Sequence, residues 1–507
     1  MKLRTLIAIL LAAALVFSLA ACSKTEPEAS AAATEGTEAT EATQEDLPDG
    51  AIELKLTGDG VDCDSEAVYA ANDIIYYEAG HDETYGAGSA DEAHTAEEAA
   101  AQTVVHITAP GVYHVTGTLH GQLFIDLGDG AKKDETACVT LLLDGAEITC
   151  DVAPAVLFYR VYECGDKENF TLTPDLTNAG AVVVLQNENN ITGSHVAKIY
   201  KEGTTDKLYK FDGAFYSKMS MRIEGDGTLN ITADNEGLDS ELHLEINSGE
   251  IHIVSQDDGI NTNEDGVSVT TINGGDITIS GGNGSEGDGI DSNGALVING
   301  GGLYASANPR TGDGGIDADL GIYLNGGVVI ATGSRNDEIS TDSKQVLMDL
   351  SFANTVKEGA AVALIDNETE IFSFTATRDF SALVISAPGL QLDVPYKLTV
   401  DGVAQQHGGV GSALEPGDGI GEKPEDDGGM KHNDDHAPDD NGVELPPVYF
   451  TPSDIPTSGT APTGDDKPTV PDDKPGDSVE PINDEEISTE FTVTAENHTF
   501  RNVQKAN

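Results

Sequence analysis

One short pattern, met four times, limits what this chain can become. "NSGEIHI" (247–253), "NGGDITI" (273–279), "NGGGLYA" (299–305) and "NGGVVIA" (325–331) recur every 26 residues, and an aliphatic residue precedes each: Ile246, Ile272, Ile298 and Leu324. A looser copy, "IEGDGTLNI", covers 223–231. Strand alternation puts Leu229, Ile251, Ile277, Leu303 and Val329 on one face, with Ile231, Ile253, Ile279, Ala305 and Ala331 at the next inward position. No single copy can bury these side chains. Stacked copies can, with neighbouring strands about 4.8 Å apart. The expected fold is therefore all-β, a parallel β-solenoid. Glycine pairs at each corner permit backbone angles that other residues resist. Asn247, Asn273, Asn299 and Asn325 should then lie one above another as a ladder of side-chain amides.

A second element runs between those strands: "EGLDSE" (236–241), "DGINTN" (258–263), "DGIDSN" (288–293) and "GGIDAD" (314–319), with "DGAFYSK" (212–218) as a degenerate earlier copy. Leu238, Ile260, Ile290 and Ile316 are expected to point into the core. Asp239, Asn261, Asp291 and Asp317 follow them and should turn outward. Glu241, Asn263, Asn293 and Asp319 should face the same way two positions later, giving two oxygen-rich columns. Carboxylates stacked about 5 Å apart repel by roughly 1 kcal/mol per pair in water, and more where solvent is excluded. A divalent cation would remove that cost, and calcium accepts six to eight oxygens from carboxylates, amides and carbonyls. Asp257, Asp258, Asp288 and Asp313 add oxygens on the entering loops. The alternative is solvated turns that merely prefer Asp and Asn. "GGNGSE" (281–286) has the outline of a calcium-binding nonapeptide, but it occurs once and carries Glu where Asp is expected.

Charge narrows the partners. The chain of 507 residues carries 89 acidic and 26 basic residues, a formal net charge of -63, which argues against nucleic acid. An acidic partner needs a bridging cation or local arginines. Tryptophan is absent, so a platform of stacked indoles is excluded. The N-terminus, "MKLRTLIAILLAAALVFSLAACSK", has a positive start at Lys2 and Arg4, an apolar run from Leu6 to Leu19, and a lipobox-like "LAAC" ending at Cys22. Cys22 is the expected lipidation site, making the membrane a partner through a lipid anchor only. Cys63, Cys138, Cys150 and Cys164 have no zinc spacing; they form one or two disulfides or serve as small buried residues.

"GGNGSEGDGIDSNGALVINGG", together with "APGVYHVTGTL", "GQLFIDLGD" and "VTLLLDGAEIT" upstream, resembles a bacterial family of exported carbohydrate-binding domains of the clostridial polygalacturonate-binding type. The resemblance spans about 50 to 400. It implies a right-handed parallel β-helix similar to that of pectate lyases. It also implies binding of calcium and of plant cell-wall polysaccharide, notably polygalacturonate, without catalysis. The expected organisation is a lipoprotein signal peptide (1–22), a disordered spacer (23–48), a β-helical carbohydrate-binding domain (49–344), a small β cap (345–403) and an acidic Pro/Gly-rich disordered tail (404–507), in a monomer. The terminal "EFTVTAENHTF" alternates like a strand but is too short to stand alone. The expected metal ligands are Asp239, Asp257, Asp258, Asn261, Asn263, Asp288, Asp291, Asn293, Asp317 and Asp319. "EGLDSE" and "GGIDAD" depart from the family pattern. Arg310 and Arg335, 25 residues apart, are the expected partners of sugar carboxylates. A calcium-dependent lyase would need a cationic base, for which Arg310 is the best candidate in 219–345. A surface adhesin or stalk is the third class. His432 and His436 in the tail are more simply solvated than metal-binding.

Overall fold

The computed structural model describes residues 48, 50–408, 487–494 and 498–506. The signal peptide with Cys22, the spacer up to residue 47, and the tail from 409 to 486 with its two histidines lie outside the described residues. The described part is all-β and is dominated by one large, mostly parallel sheet.

Repeat stacking sets the register. Leu229 pairs with Ile251, Ile251 with Ile277, Ile277 with Leu303 and Leu303 with Val329, all in parallel. Ile231, Ile253, Ile279, Ala305 and Ala331 follow in the same ladders. The aliphatic residues before each corner form another column, from Ile223 through Ile246, Ile272 and Ile298 to Leu324. The "DGI" element supplies a third strand per copy, with Leu238 on Ile260 and Ile260 on Ile290. All these side chains meet in one core. The upstream runs belong to the same arrangement: Gly111–Asp126 pairs in parallel with Ile52–Gly58 and with Val139–Cys150.

The amide ladder is present. Asn273, Asn299 and Asn325 each donate from Nδ2 to the Oδ1 of the asparagine one copy earlier, at 2.9, 2.9 and 3.0 Å. The position two residues after the asparagine is glycine in all four copies, and its geometry shows why. Gly301 has φ +80°, and a Cβ there would lie 2.5 Å from the Gly275 carbonyl oxygen. Within 86–102 a five-residue helix, Ala96–Ala100, is closed by a Thr95/Glu98 capping box.

Beyond the repeats most strand pairs turn antiparallel, the parallel pairing of Leu347–Val356 with Thr499–Lys505 excepted. Phe380–Ser386 pairs antiparallel with Val328–Gly333, the last strand of the repeat, and with Leu347–Val356. These strands also cover the outer face, where Tyr304 and Ile330 join Met348, Phe352 and Phe380 in a second core. The tail boundary expected at 404 needs correction. Phe491–Thr492 pairs with Pro395–Val400, and Thr499–Lys505 pairs with Leu347–Val356 and Val403–Gln406. Phe491, Phe500 and Val503 are buried in the second core. A strand too short to stand alone is stable here because an existing sheet edge receives it. All four described cysteines are free thiols, and burial pushes the Cys150 thiol up to about 12.

Ile277→Ala, in the middle of a column, is expected to cost about 2–5 kcal/mol in urea unfolding. Asn299→Ala removes two ladder bonds and should cost about 1–2 kcal/mol. Phe500→Ala should destabilise by about 3–5 kcal/mol, measured the same way, whereas a solvated tail would give no change.

Candidate functional site

The "DGI" strands bring oxygen donors into columns because each copy hydrogen-bonds in register to the next. Tyr216 lies beside Asp239, Asp239 beside Asn261, and Asn261 beside Asp291. Asp317 continues the row, its N–H donating to the Ile290 carbonyl at 2.8 Å. Two positions on, the N–H groups of Glu241, Asn263, Asn293 and Asp319 donate to the carbonyls of Ser217, Ser240, Thr262 and Ser292. A third row lies two positions before the apolar residue, where Glu236, Asp258 and Asp288 succeed one another.

The expected outward exposure of the first row is corrected. Asp239 is 0% exposed and Asn261 7%. Each is flanked by the side chains of the copies before and after, so stacking itself removes solvent. Asp291 and Asp317 are half-buried. Asp258 and Asp288 are held by backbone: Asp258 Oδ1 accepts from the Asp288 N–H, and Asp288 Oδ1 from the Gly314 N–H, both at 2.6 Å. Asn293 donates to the Asn263 carbonyl at 3.0 Å. Asp319 is exposed.

The columns converge most tightly at their first copies. Asp212, Glu236 and Asp239 are all buried, and one oxygen from each lies within 4.8 Å of the others. Asn261 Nδ2 donates to Glu236 Oε1 at 3.1 Å, and Asn263 Nδ2 to Asp239 Oδ1 at 2.8 Å. The remaining oxygens, Glu236 Oε2, Asp239 Oδ2 and Asn261 Oδ1, are buried without a hydrogen-bond partner. Lys210 Nζ sits 2.9 Å from Asp212 Oδ2, a single ammonium against three carboxylates. Burial pushes the Glu236 and Asp239 carboxyls well above the usual range, and neighbouring carboxylates add to it. Asp258 and Asp288 are raised for the same two reasons. Asp257 is pushed up to about 7 by burial, then by Glu286 and the aspartates around it. Orphaned acceptors with no matching donor suit a hard cation, so this trio can hold a metal.

Sequence reasoning missed Asp212, Glu236 and Lys210. Glu236 was legible, since "EGLDSE" puts Glu where "DGINTN" and "DGIDSN" put Asp258 and Asp288. Asp212 was not. Gly213, not Asp212, pairs with Glu236, so the "DGAFYSK" copy is displaced by one residue from its apparent alignment. That displacement puts Tyr216 at the position held by Asp239 in the next copy. Neither arginine joins the trio. Arg335 pairs with Asp317 at 3.3 Å at the far end of the row. Arg310 is exposed, and its N–H donates to Asn308 Oδ1.

Comparison with known proteins adds three findings. No curated protein matches the chain. Among solved structures, a polysaccharide lyase-like protein from C. thermocellum, determined as a gadolinium derivative, is 20% identical, with 55% of this chain and 92% of that one covered and a TM-score of 0.34. The family model described as carbohydrate-binding domain-containing protein matches residues 101–373. That segment is more than half of the chain and contains every strand of the repeat, and on this ground the chain belongs to the carbohydrate-binding domain-containing protein family.

Proposed function

We propose that this protein binds an acidic cell-wall polysaccharide such as polygalacturonate, without turning it over, through calcium held on the acidic columns. Three buried oxygens without donors, beside Asp212, carry this reading. Asp212, Glu236 and Asp239, with the amide oxygen of Asn261, would hold the ion at the head of the columns. When bound, calcium supplies the positive charge that the carboxylates lack and leaves coordination positions for oxygens from outside the chain. Further along, half-buried Asp257, Asp291 and Asp317 offer the surface on which bridging cations would meet sugar carboxylates. A uronate chain could not otherwise approach so acidic a face. The parallel stacking supports a right-handed parallel β-helix as the scaffold. The lipobox-like "LAAC" supports lipid anchoring at Cys22 and a position outside the cytoplasm, with the protein acting as a monomer.

Polygalacturonate should bind the full chain in millimolar calcium and be lost in chelator. Glu236→Gln and Asp239→Asn should each weaken binding by about tenfold or more. If no acidic glycan binds with or without calcium, the proposal fails. Ultraviolet-absorbing unsaturated uronides released during the assay would instead identify a lyase.

Stability gives a second test. Carboxyls raised in the folded protein bind protons that the unfolded chain has already lost, so between about pH 4 and about pH 7 the native state holds more protons. In chelator, stability should therefore fall as pH rises through that window and beyond it, where the more strongly raised Glu236 and Asp239 lie. Calcium should flatten the dependence, raising Tm at pH 7 by at least about 3 °C. Asp239→Asn should raise the chelated protein's Tm at pH 7 and remove part of the calcium effect.

A further inference from the structure

A second candidate site is lined by residues outside the acidic columns. The segment 74–85 and the hairpin Val196–Tyr200/Lys207–Phe211 enclose a cleft of about 850 Å³. Its two walls are fixed to each other. The Tyr200 N–H donates to the Tyr85 carbonyl at 2.9 Å, and the Ala87 N–H to the Lys198 carbonyl at 2.8 Å. One wall precedes the family-matched segment, which begins at residue 101.

The lining has a distinctive chemistry. Four of the chain's 14 tyrosines, Tyr76, Tyr85, Tyr200 and Tyr209, line this one cleft, and all four are half-buried. A chain so poor in aromatics has concentrated them where a flat apolar face could lie. Tyr85 is braced by the His81 ring, stacked at 4.0 Å between centroids. Leu208 adds apolar surface that is 41% exposed. Three carboxylates, Glu78, Asp82 and Glu202, stand among these groups, and the lining includes no lysine or arginine. Asp82 Oδ1 accepts from the Thr84 N–H at 3.0 Å, and Glu202 has no side-chain partner among the described residues.

A pyranose ring presents C–H groups on its faces and hydroxyl donors around its edge. Tyrosine faces complement the first and carboxylate oxygens the second. The charge decides between sugars. A uronate entering this cleft would meet three carboxylates and no cationic side chain except His81, which already bonds Glu78. An uncharged sugar meets no such penalty and offers donors to each acceptor.

We propose that this cleft binds a neutral hexopyranose or pentopyranose oligosaccharide, independently of calcium. The cleft does not rest on the cation-bridged reading, and the two fail separately. The test is calorimetric titration of the full chain with cellohexaose, xylohexaose, mannohexaose and hexagalacturonate, each in calcium and in chelator. At least one neutral hexamer should bind equally in both buffers. Tyr209→Ala should weaken it about tenfold or more. Leu208→Asp, at an exposed position that leaves folding intact, should weaken it as well, and Asp239→Asn should leave it unchanged. The proposal is overturned if no neutral hexamer binds below about 10 mM, or if binding survives both cleft variants. It is also overturned if the cleft variants abolish hexagalacturonate binding instead, or if a lysine-rich peptide control is the ligand whose binding they remove.

Discussion

Parallel hydrogen bonding between copies one repeat apart governs everything else in this molecule. It aligns each residue with its equivalent, so the sequence repeat becomes a set of vertical rows. The consequence depends on what is repeated. Isoleucine on isoleucine removes about 25 cal/mol per Å² of apolar surface from water, and the core extends with each copy. Asparagine on asparagine satisfies both ends of an amide, as the 2.9–3.0 Å ladder at the corners does. Carboxylate on carboxylate gains nothing and adds repulsion. A repeat that retains acids in register thus carries an electrostatic cost that the same register imposes.

The chain handles that cost differently along its length. At Asp258 and Asp288 the backbone helps, since each accepts an N–H from the next copy at 2.6 Å. At Asp317 the Arg335 guanidinium helps. At the head of the rows Lys210 reaches only one of three buried carboxylates, and three acceptors are left over. Buried acceptors are seldom left unpaired, and each costs about 1–3 kcal/mol. This gradient, from compensated to uncompensated, singles out the Asp212 end more clearly than any count of acids does.

Much of this was readable from residues alone. The 26-residue spacing gave the columns, and strand alternation assigned Ile277 and its equivalents to the core correctly, because a buried face constrains every second residue. Burial of the acids was not readable. Alternation says that Asp239 points away from the core, but whether neighbours on either side cover it depends on side-chain length in adjacent copies. Tyr216 beside it is a case that the motif did not suggest. Asp212 was hidden by a one-residue offset. The terminal strand was hidden by distance, since Phe500 pairs with a strand 150 residues earlier across an acidic stretch that has no apolar pattern. The cleft was hidden by composition: a low aromatic total says nothing about whether the few tyrosines share one place.

The strand Lys207–Phe211 touches both candidate sites. Lys210 holds Asp212 at the head of the acidic rows, while Leu208 and Tyr209, next to it in sequence, line the aromatic cleft. Five residues span about 18 Å at most, so the two sites are neighbours by chain geometry. Among the described residues the strand pairs only with Val196–Tyr200, in a two-stranded sheet separate from the large one. A small sheet is the less stable kind, with fewer ladder bonds to hold it. The hairpin is held in addition by main-chain bonds to the opposite wall, from the Tyr200 N–H to the Tyr85 carbonyl and from the Ala87 N–H to the Lys198 carbonyl, none of which involves Lys210 or Asp212. A cation that took the place of the Lys210 ammonium at Asp212 would therefore leave the cleft walls bonded to each other, and the two sites answer to calcium separately although one strand serves both.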